Sequence, residues 1–436
     1  MGKPKTRWIV IFLILVVLQL ISAFTSSSSF SVDDAAGIDK ADTAWMIVAT
    51  AFVLFMTPGL SFFYGGMVSW RNVISTMLQS FIALGVISLL WYLVGFSLAF
   101  GDSYHGLIGN PLTFFSFKNV GLAPHADFSP TIPFLIFALF QLKFAIITPA
   151  LITGSFAERV KFTSYLLFMV LFSLFIYCPL AHWTWHPEGF LRQWGVLDFA
   201  GGTVVHMSAG FAALAGAYVL GKRENKVHQP ANIPFIILGT GMLWFGWFGF
   251  NAGSALAANG LAVQAFATTN MASASAMITW VLFDGLVGRR ISAMGACIGA
   301  VVGLVAITPA AGFVSIGQSV FIGFAAAMIS NLAVYYKNKT SLDDTLDVFP
   351  CHGVGGIVGM ILTAVFAKDV GAMSGNFETL QYHLLTLVIV GVFTFGGSWI
   401  IFKIVGSITS LRVSKEEESI GLDLSQHAET METRVG

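Results

Sequence analysis

D-F-A-G-G-T-V-V-H-M-S-A-G, residues Asp198–Gly210, opens with an acid and two glycines and then enters an apolar run around one histidine, His206. At 1.5 Å per residue, His206 stands roughly 12 Å along such a helix from Asp198. That depth approaches the middle of a bilayer whose hydrocarbon core is about 30 Å thick. An imidazole there is costly unless something partners it, so the position marks function. A related stretch, D-V-F-P-C-H-G-V-G-G-I-V-G, surrounds His352, and both histidines are followed four residues on by glycine, Gly210 and Gly356. His352 lies roughly 7 to 8 Å beyond Asp347, so the two rings can meet near the midplane. A neutral imidazole carries one donor and one acceptor nitrogen, and two of them can share a hydrogen bond and leave polar edges toward a pore. Zinc fits poorly, because no third ligand of suitable type and depth accompanies the pair.

Composition places these helices in a membrane. Of 436 residues, 56% are hydrophobic and 10% charged, whereas a soluble domain carries about 25% charged residues. The net charge of zero gives no footing for nucleic acid. Cys178, Cys297 and Cys351 sit in apolar runs without metal-like spacing and read as small core residues.

Residues 1–23, with Lys3, Lys5 and Arg7 before a short apolar run, read as a cleaved signal peptide, with an uncleaved anchor as the alternative. Residues 24–43 follow as an extracellular linker, 44–408 as the transmembrane domain and 409–436 as a cytoplasmic tail. The domain divides into eleven apolar segments, near 44–69, 73–101, 130–156, 162–185, 199–220, 231–257, 262–284, 291–307, 311–336, 349–367 and 383–408. With the amino terminus outside, inner loops hold Arg71, Arg159, Lys161, Lys222, Arg223, Lys226, Arg289, Arg290, Lys337 and Lys339. Outer loops hold Lys118, Arg192 and Lys368, which satisfies the positive-inside rule. The histidine helices are the fifth and tenth segments, so they run in opposite directions, the arithmetic of a 5+5 inverted repeat. The fold class is therefore an all-α integral membrane protein.

Asp198 stands where a helix begins. It reads as an N-cap, as support for a nearby cation, or as both. Trp183, Trp185 and Trp194 fall near the outer boundary, where interfacial anchoring and cation–π binding are both open to them.

The chain resembles the Amt/Mep/Rh ammonium transporters, specifically the bacterial-type Amt branch. The resemblance runs through F-V-L-F-M-T-P-G-L-S-F-F-Y-G-G, I-T-G-S-F-A-E-R-V, L-D-F-A-G-G-T-V-V-H, G-W-F-G-F-N-A-G-S, the His352 stretch and G-L-D-L-S-Q-H-A-E. It implies an eleven-helix protomer assembled as a homotrimer in the cell's inner (plasma) membrane, with one pore per protomer and no cofactor. It matches the pore histidines to His206 and His352, ammonium recruitment to Trp185, Ser254 and Asp198, and a stacked gate to Phe140 and Phe250. It also implies a regulatory tail, here carrying Gly421, Asp423 and His427, and a PII-type nitrogen signal protein at the cytoplasmic face.

Two positions depart from the family pattern: Lys143 replaces a usually uncharged residue, and Ala428 stands where glycine is common. Lys143 lies too deep to snorkel. A charged amine about 6 Å from a bound cation would cost close to 3 kcal/mol at an effective dielectric of 20. The amine is therefore expected to turn from the conduction path, to be neutral, or to bond to buried carbonyls or hydroxyls of a neighbouring helix or protomer. The function implied is ammonium transport rather than catalysis. The rivals are an ammonium-sensing receptor with little flux and a channel for another small solute such as methylamine.

Overall fold

The computed structural model describes residues 12–20, 37–225 and 229–431. Of the expected signal peptide and linker, residues 12–20 are helical, 37–39 lead into the first long helix and 40–43 form its first turn, while the rest lies outside the described residues. The transmembrane domain is built from α1 (Lys40–Met67), α2 (Trp70–Phe100), α3 (Phe134–Ile152), α4 (Phe162–Trp185) and α5 (Gly202–Leu220). It continues through α6 (Ile233–Gly253), α7 (Gly260–Leu286), α8 (Ala293–Ile307), α9 (Ile316–Asn338), α10 (Phe349–Phe366) and α11 (Glu378–Ile408).

Polar residues between the apolar runs fix where these helices start. Asp39, Asn232, Asn259, Ser292 and Ser315 each accept a backbone N–H in the first turn of the helix that follows. Each bond satisfies a donor that has no intrahelical partner. Nine described helices are long and apolar enough to cross a membrane. The other two are α8, with 15 residues, and α7, which carries Gln264, Thr268, Thr269, Asn270, Ser273 and Asp284 along its length. Between α2 and α3 the chain forms two short antiparallel hairpins, Ser103–Gly109 and Ser129–Pro133 against Pro124–His125, which the apolar pattern does not register. Cys178, Cys297 and Cys351 are buried free thiols.

The two histidine helices share a construction. Each opens with a π-helical segment, Gly202–Met207 and Phe349–Val354. Each is capped by a buried aspartate eight residues before its histidine, Asp198 for His206 and Asp344 for His352. Asp198 Oδ1 accepts from the Gly201 and Gly202 N–H groups, and Oδ2 from Thr203 N and Oγ1. The Asp344 oxygens accept from Val348 N at 3.1 Å and Phe349 N at 2.8 Å. The acid that corresponds to Asp198 is thus Asp344, while Asp347 pairs with Lys337 at 2.6 Å.

The helices cross where they carry no side chain: a Cβ on Gly210 would collide with the Gly353 backbone, and one on Gly356 would press on Gly202 O at 3.1 Å.

The tail packs back on the protein. Lys161 N donates to Leu411 O and Val413 N to Arg159 O, at 2.9 and 3.1 Å. Ser414 and Glu417 form a capping box at the start of α12 (Lys415–Ile420). Asp423, in α13 (Leu422–His427), accepts from Ser75 N at 2.7 Å and Ile74 N at 3.0 Å, in the first turn of the α-helix starting at Val73. His427 Nε2 lies 3.2 Å from Ser75 Oγ, and its ring meets Phe162 edge-on. Gly421 has φ 103°, and a Cβ there would strike Arg71. Ala428 holds φ 57°, a left-handed conformation that glycine adopts freely and alanine does not.

The glycine crossing yields the first prediction. Gly210→Val should lower the thermal midpoint of the detergent-solubilised protein by several degrees or prevent insertion, since overpacking costs about 1 to 3 kcal/mol even where side chains can yield. An unchanged midpoint would contradict the close crossing.

Candidate functional site

The end of the molecule expected to face outside holds a cavity of about 410 Å³, here the outer cavity, lined by Trp185, Asp198 and Ser254, and also by Gln141 and Phe144. Three residues matched to recruitment therefore face one space. Each is positioned by a backbone partner. Trp185 Nε1 donates to Asp198 O at 3.2 Å, Arg192 holds Trp185 O at 2.6 Å, and Ser254 Oγ donates to Phe250 O at 2.9 Å. His383 contributes from α11, its Nε2 accepting from Leu197 N at 2.9 Å and so fixing the loop that carries Asp198. Burial pushes the Asp198 carboxyl above its ordinary value, while the bonds from Thr203, Gly202 and Gly201 pull the other way. Burial likewise raises Asp344, to about 6.

Below the cavity, Phe144 and Phe250 are stacked, with ring centroids 4.1 Å apart and planes 28° apart. The expected partner, Phe140, does not stack on Phe250. It meets Phe144 edge-on at 4.9 Å, and its ring lies over Gly253, where a Cβ would stand 2.7 Å from Phe140 Cε2. The bare backbone at Gly253 receives the Phe140 ring, and Phe144, one turn further along α3, takes the stacked position on Phe250. Phe140 and Phe144, four apart, share a helix face, so the sequence spacing admits either ring as the gate.

His206 follows Phe250, 6.1 Å away between ring centroids, and stacks on Trp247 at 5.3 Å. Trp247 is itself held by a 2.9 Å bond from Nε1 to Thr308 Oγ1. His206 Nδ1 and His352 Nδ1 are 3.3 Å apart, so one donates the proton that the other accepts. His206 Nε2 is buried with no hydrogen-bond partner among the described residues. Contrast the equally buried His182, whose Nδ1 faces Ala99 O and whose Nε2 faces Ser103 Oγ. A histidine that serves packing has both nitrogens occupied; His206 keeps one open.

On the far side, His352 lines a narrow cavity of about 10 Å³ with Tyr64, Leu346 and Cys351. That is about the space of one water molecule. Outer cavity, phenyl pair, imidazole pair and inner cavity thus follow one another through shared residues. Lys143 does not line the outer cavity. It is half-buried and forms no hydrogen bond or ion pair among the described residues, which therefore do not supply the carbonyls or hydroxyls expected to hold it. No group of three or more His, Cys, Asp or Glu among the described residues could hold a metal ion.

Two hydrogen-bonded imidazoles lie buried behind stacked phenyl rings, inside a bundle of helices long and apolar enough to cross a membrane, an arrangement suited to a small polar solute. The family description "Ammonium Transporter Family" matches residues 44–432, and the chain belongs to that family. An ammonium transporter of Aquifex aeolicus strain VF5 is 44% identical over 410 residues, 92% of this chain and 96% of that protein. The crystal structure of Candida albicans Mep2 is similar at a TM-score of 0.83 and 35% identity, covering 89% of each chain. A solved structure titled "Sensor Amt Protein" is similar at a TM-score of 0.82 and 31% identity, covering 89% of this chain and 98% of that one. The protein is an ammonium transporter family member with several membrane-crossing helices.

The open nitrogen of the histidine pair can be tested. The His206→Ala, His352→Ala double variant should insert normally but lose at least about tenfold in uptake, the rate equivalent of about 1.4 kcal/mol. Unchanged uptake and selectivity on labelled-substrate assay would remove the pair from the conduction path.

Proposed function

We propose that the protein carries ammonium nitrogen inward, recruiting the cation in the outer cavity, releasing a proton near the stacked phenyl rings, and passing ammonia along the imidazole pair. The observation that carries this reading is the unbroken succession from Trp185 and Ser254, through Phe144 on Phe250, to His206 against His352. Stripping water from a cation in a low-dielectric passage costs on the order of tens of kcal/mol when nothing replaces it. Phenyl rings and imidazoles do not rebuild a hydration shell. Neutral ammonia avoids the charge term and still needs hydrogen-bond partners, which the buried histidine nitrogens supply. In this reading Phe144, rather than Phe140, is the deeper leaf of the gate.

Eleven crossings, a 5+5 inverted repeat with the tail in the cytoplasm, and a homotrimer in the inner membrane complete the proposal. The matched caps and π-helical openings of α5 and α10 support the repeat. Expression in cells lacking their own ammonium transporter is the direct test. Saturable uptake of labelled methylammonium, suppressed by ammonium, is expected; uptake no faster than in empty cells would refute transport and favour the sensing alternative.

The docked tail gives a further proposal. Asp423 bonds at the start of a helix in α2, and Arg412 bridges Glu418 at 2.7 Å, so the tail ties its own helices to the loop carrying Arg159. We assign residues 409–436 a regulatory role, with the same face receiving a PII-type protein. Truncation after Ser414 should leave insertion intact and change uptake by about twofold or more, since Ser75 and Ile74 each lose a charge-assisted bond worth about 1.5 to 3 kcal/mol. Unaltered uptake, together with no PII-type protein binding the full chain, would reject this role.

A further inference from the structure

We infer that Gln141 supplies the last hydrogen-bond acceptor met by ammonium before the phenyl pair and thereby distinguishes ammonium from its methylated analogue. The inference rests on the transport reading above. Gln141 lines the outer cavity beside Phe144 and Trp185. The residue is 9% exposed, and its carboxamide oxygen is fully buried with no hydrogen-bond partner among the described residues, so it meets the cavity once the carboxamide turns. An acceptor buried without a partner is unfavourable, and folded proteins rarely leave one unless a ligand or water meets it.

Position strengthens the assignment. Gln141 precedes Phe144 by three residues in α3, so it stands about 4.5 Å nearer the outer hairpins and about 60° around the helix from the gate ring. A solute leaving the cavity passes it immediately before the stack.

Asp127 also lines the cavity but is exposed; the three polar groups matched to recruitment are already engaged. All four hydrogen bonds to the Asp198 carboxylate come from the protein itself. The Ser254 hydroxyl proton is committed to Phe250 O, and the Trp185 indole N–H to Asp198 O. Ammonium arriving here has four N–H donors to satisfy as it sheds water. Trp185 offers a π-face and Ser254 a lone pair. Gln141 adds an amide oxygen, the group most like the water being removed. The carboxamide turns about its last torsion, so either of its two polar ends can meet the cavity.

The discrimination follows from counting donors. Methylammonium has three N–H groups and a methyl, and the methyl can face an apolar wall without loss. Ammonium has no such face. Removing the acceptor therefore penalises ammonium more than methylammonium.

The test is labelled methylammonium uptake, with ammonium as competitor, in cells lacking their own transporter. For Gln141→Leu the inhibition constant of ammonium should rise about tenfold and the methylammonium KM about threefold, the scale of one lost charge-assisted bond. An inhibition constant and a ratio both within about twofold of the unmodified protein, on the same affinity scale, would overturn the assignment while leaving the transport reading intact. Should the leucine variant fail to reach the membrane, Gln141→Glu carries the test. Its carboxylate accepts more strongly, so the ammonium inhibition constant should fall, and a rise would overturn the assignment. An unmodified protein that takes up no methylammonium would instead refute the transport reading on which the inference stands.

Discussion

The two histidine rings come within hydrogen-bonding distance beside a point where the backbones of their helices almost touch. Gly210 against Gly353 provides that contact, one turn from the ring nitrogens that stand 3.3 Å apart. Small residues allow such approach in lipid, where no hydrophobic force presses helices together. The rest of the passage is arranged around the pair. Trp247 lies flat on one ring, Phe250 stands above it, and the narrow inner cavity begins at the other.

Close approach at the centre leaves the helix openings to be stabilised separately. Both α5 and α10 begin within the protein rather than in water, where uncapped N–H groups are costly. An aspartate eight residues before each histidine meets that need, and the first turns widen to π geometry as they enter. The same solution at two remote points of the chain supports the inverted repeat proposed above. It escapes a search for matching residues because the shared feature is a register between acid and histidine.

Much of this was legible beforehand, and the failures have definite causes. Composition and run length revealed the helices, since a 56% hydrophobic chain with long apolar segments has few alternatives. The histidines stood out because polarity at that depth is rare. The stacking partner of Phe250 did not: Phe140 and Phe144 share a face, and what separates them is the bare backbone of Gly253, a contact between helices over a hundred residues apart. Asp347 drew attention because it opens the quoted motif, whereas Asp344 does the capping; nothing local separates two acids three residues apart. Gln141 is an ordinary helix residue until its oxygen is found without a partner. The short hairpins between α2 and α3 lacked any alternating apolar pattern long enough to register.

Under the transport cycle proposed above, the saturation of Asp198 has a consequence for how fast cargo can leave. A carboxylate with free lone pairs beside a cation forms a tight contact pair, and tight pairs dissociate slowly. Here the oxygens are already wrapped by three backbone amides and a hydroxyl. The charge they carry still biases the surrounding field, but no oxygen is bare enough to clasp an ion directly. Attraction without capture is the combination that suits a waystation, where an overly deep well would slow every passage that followed.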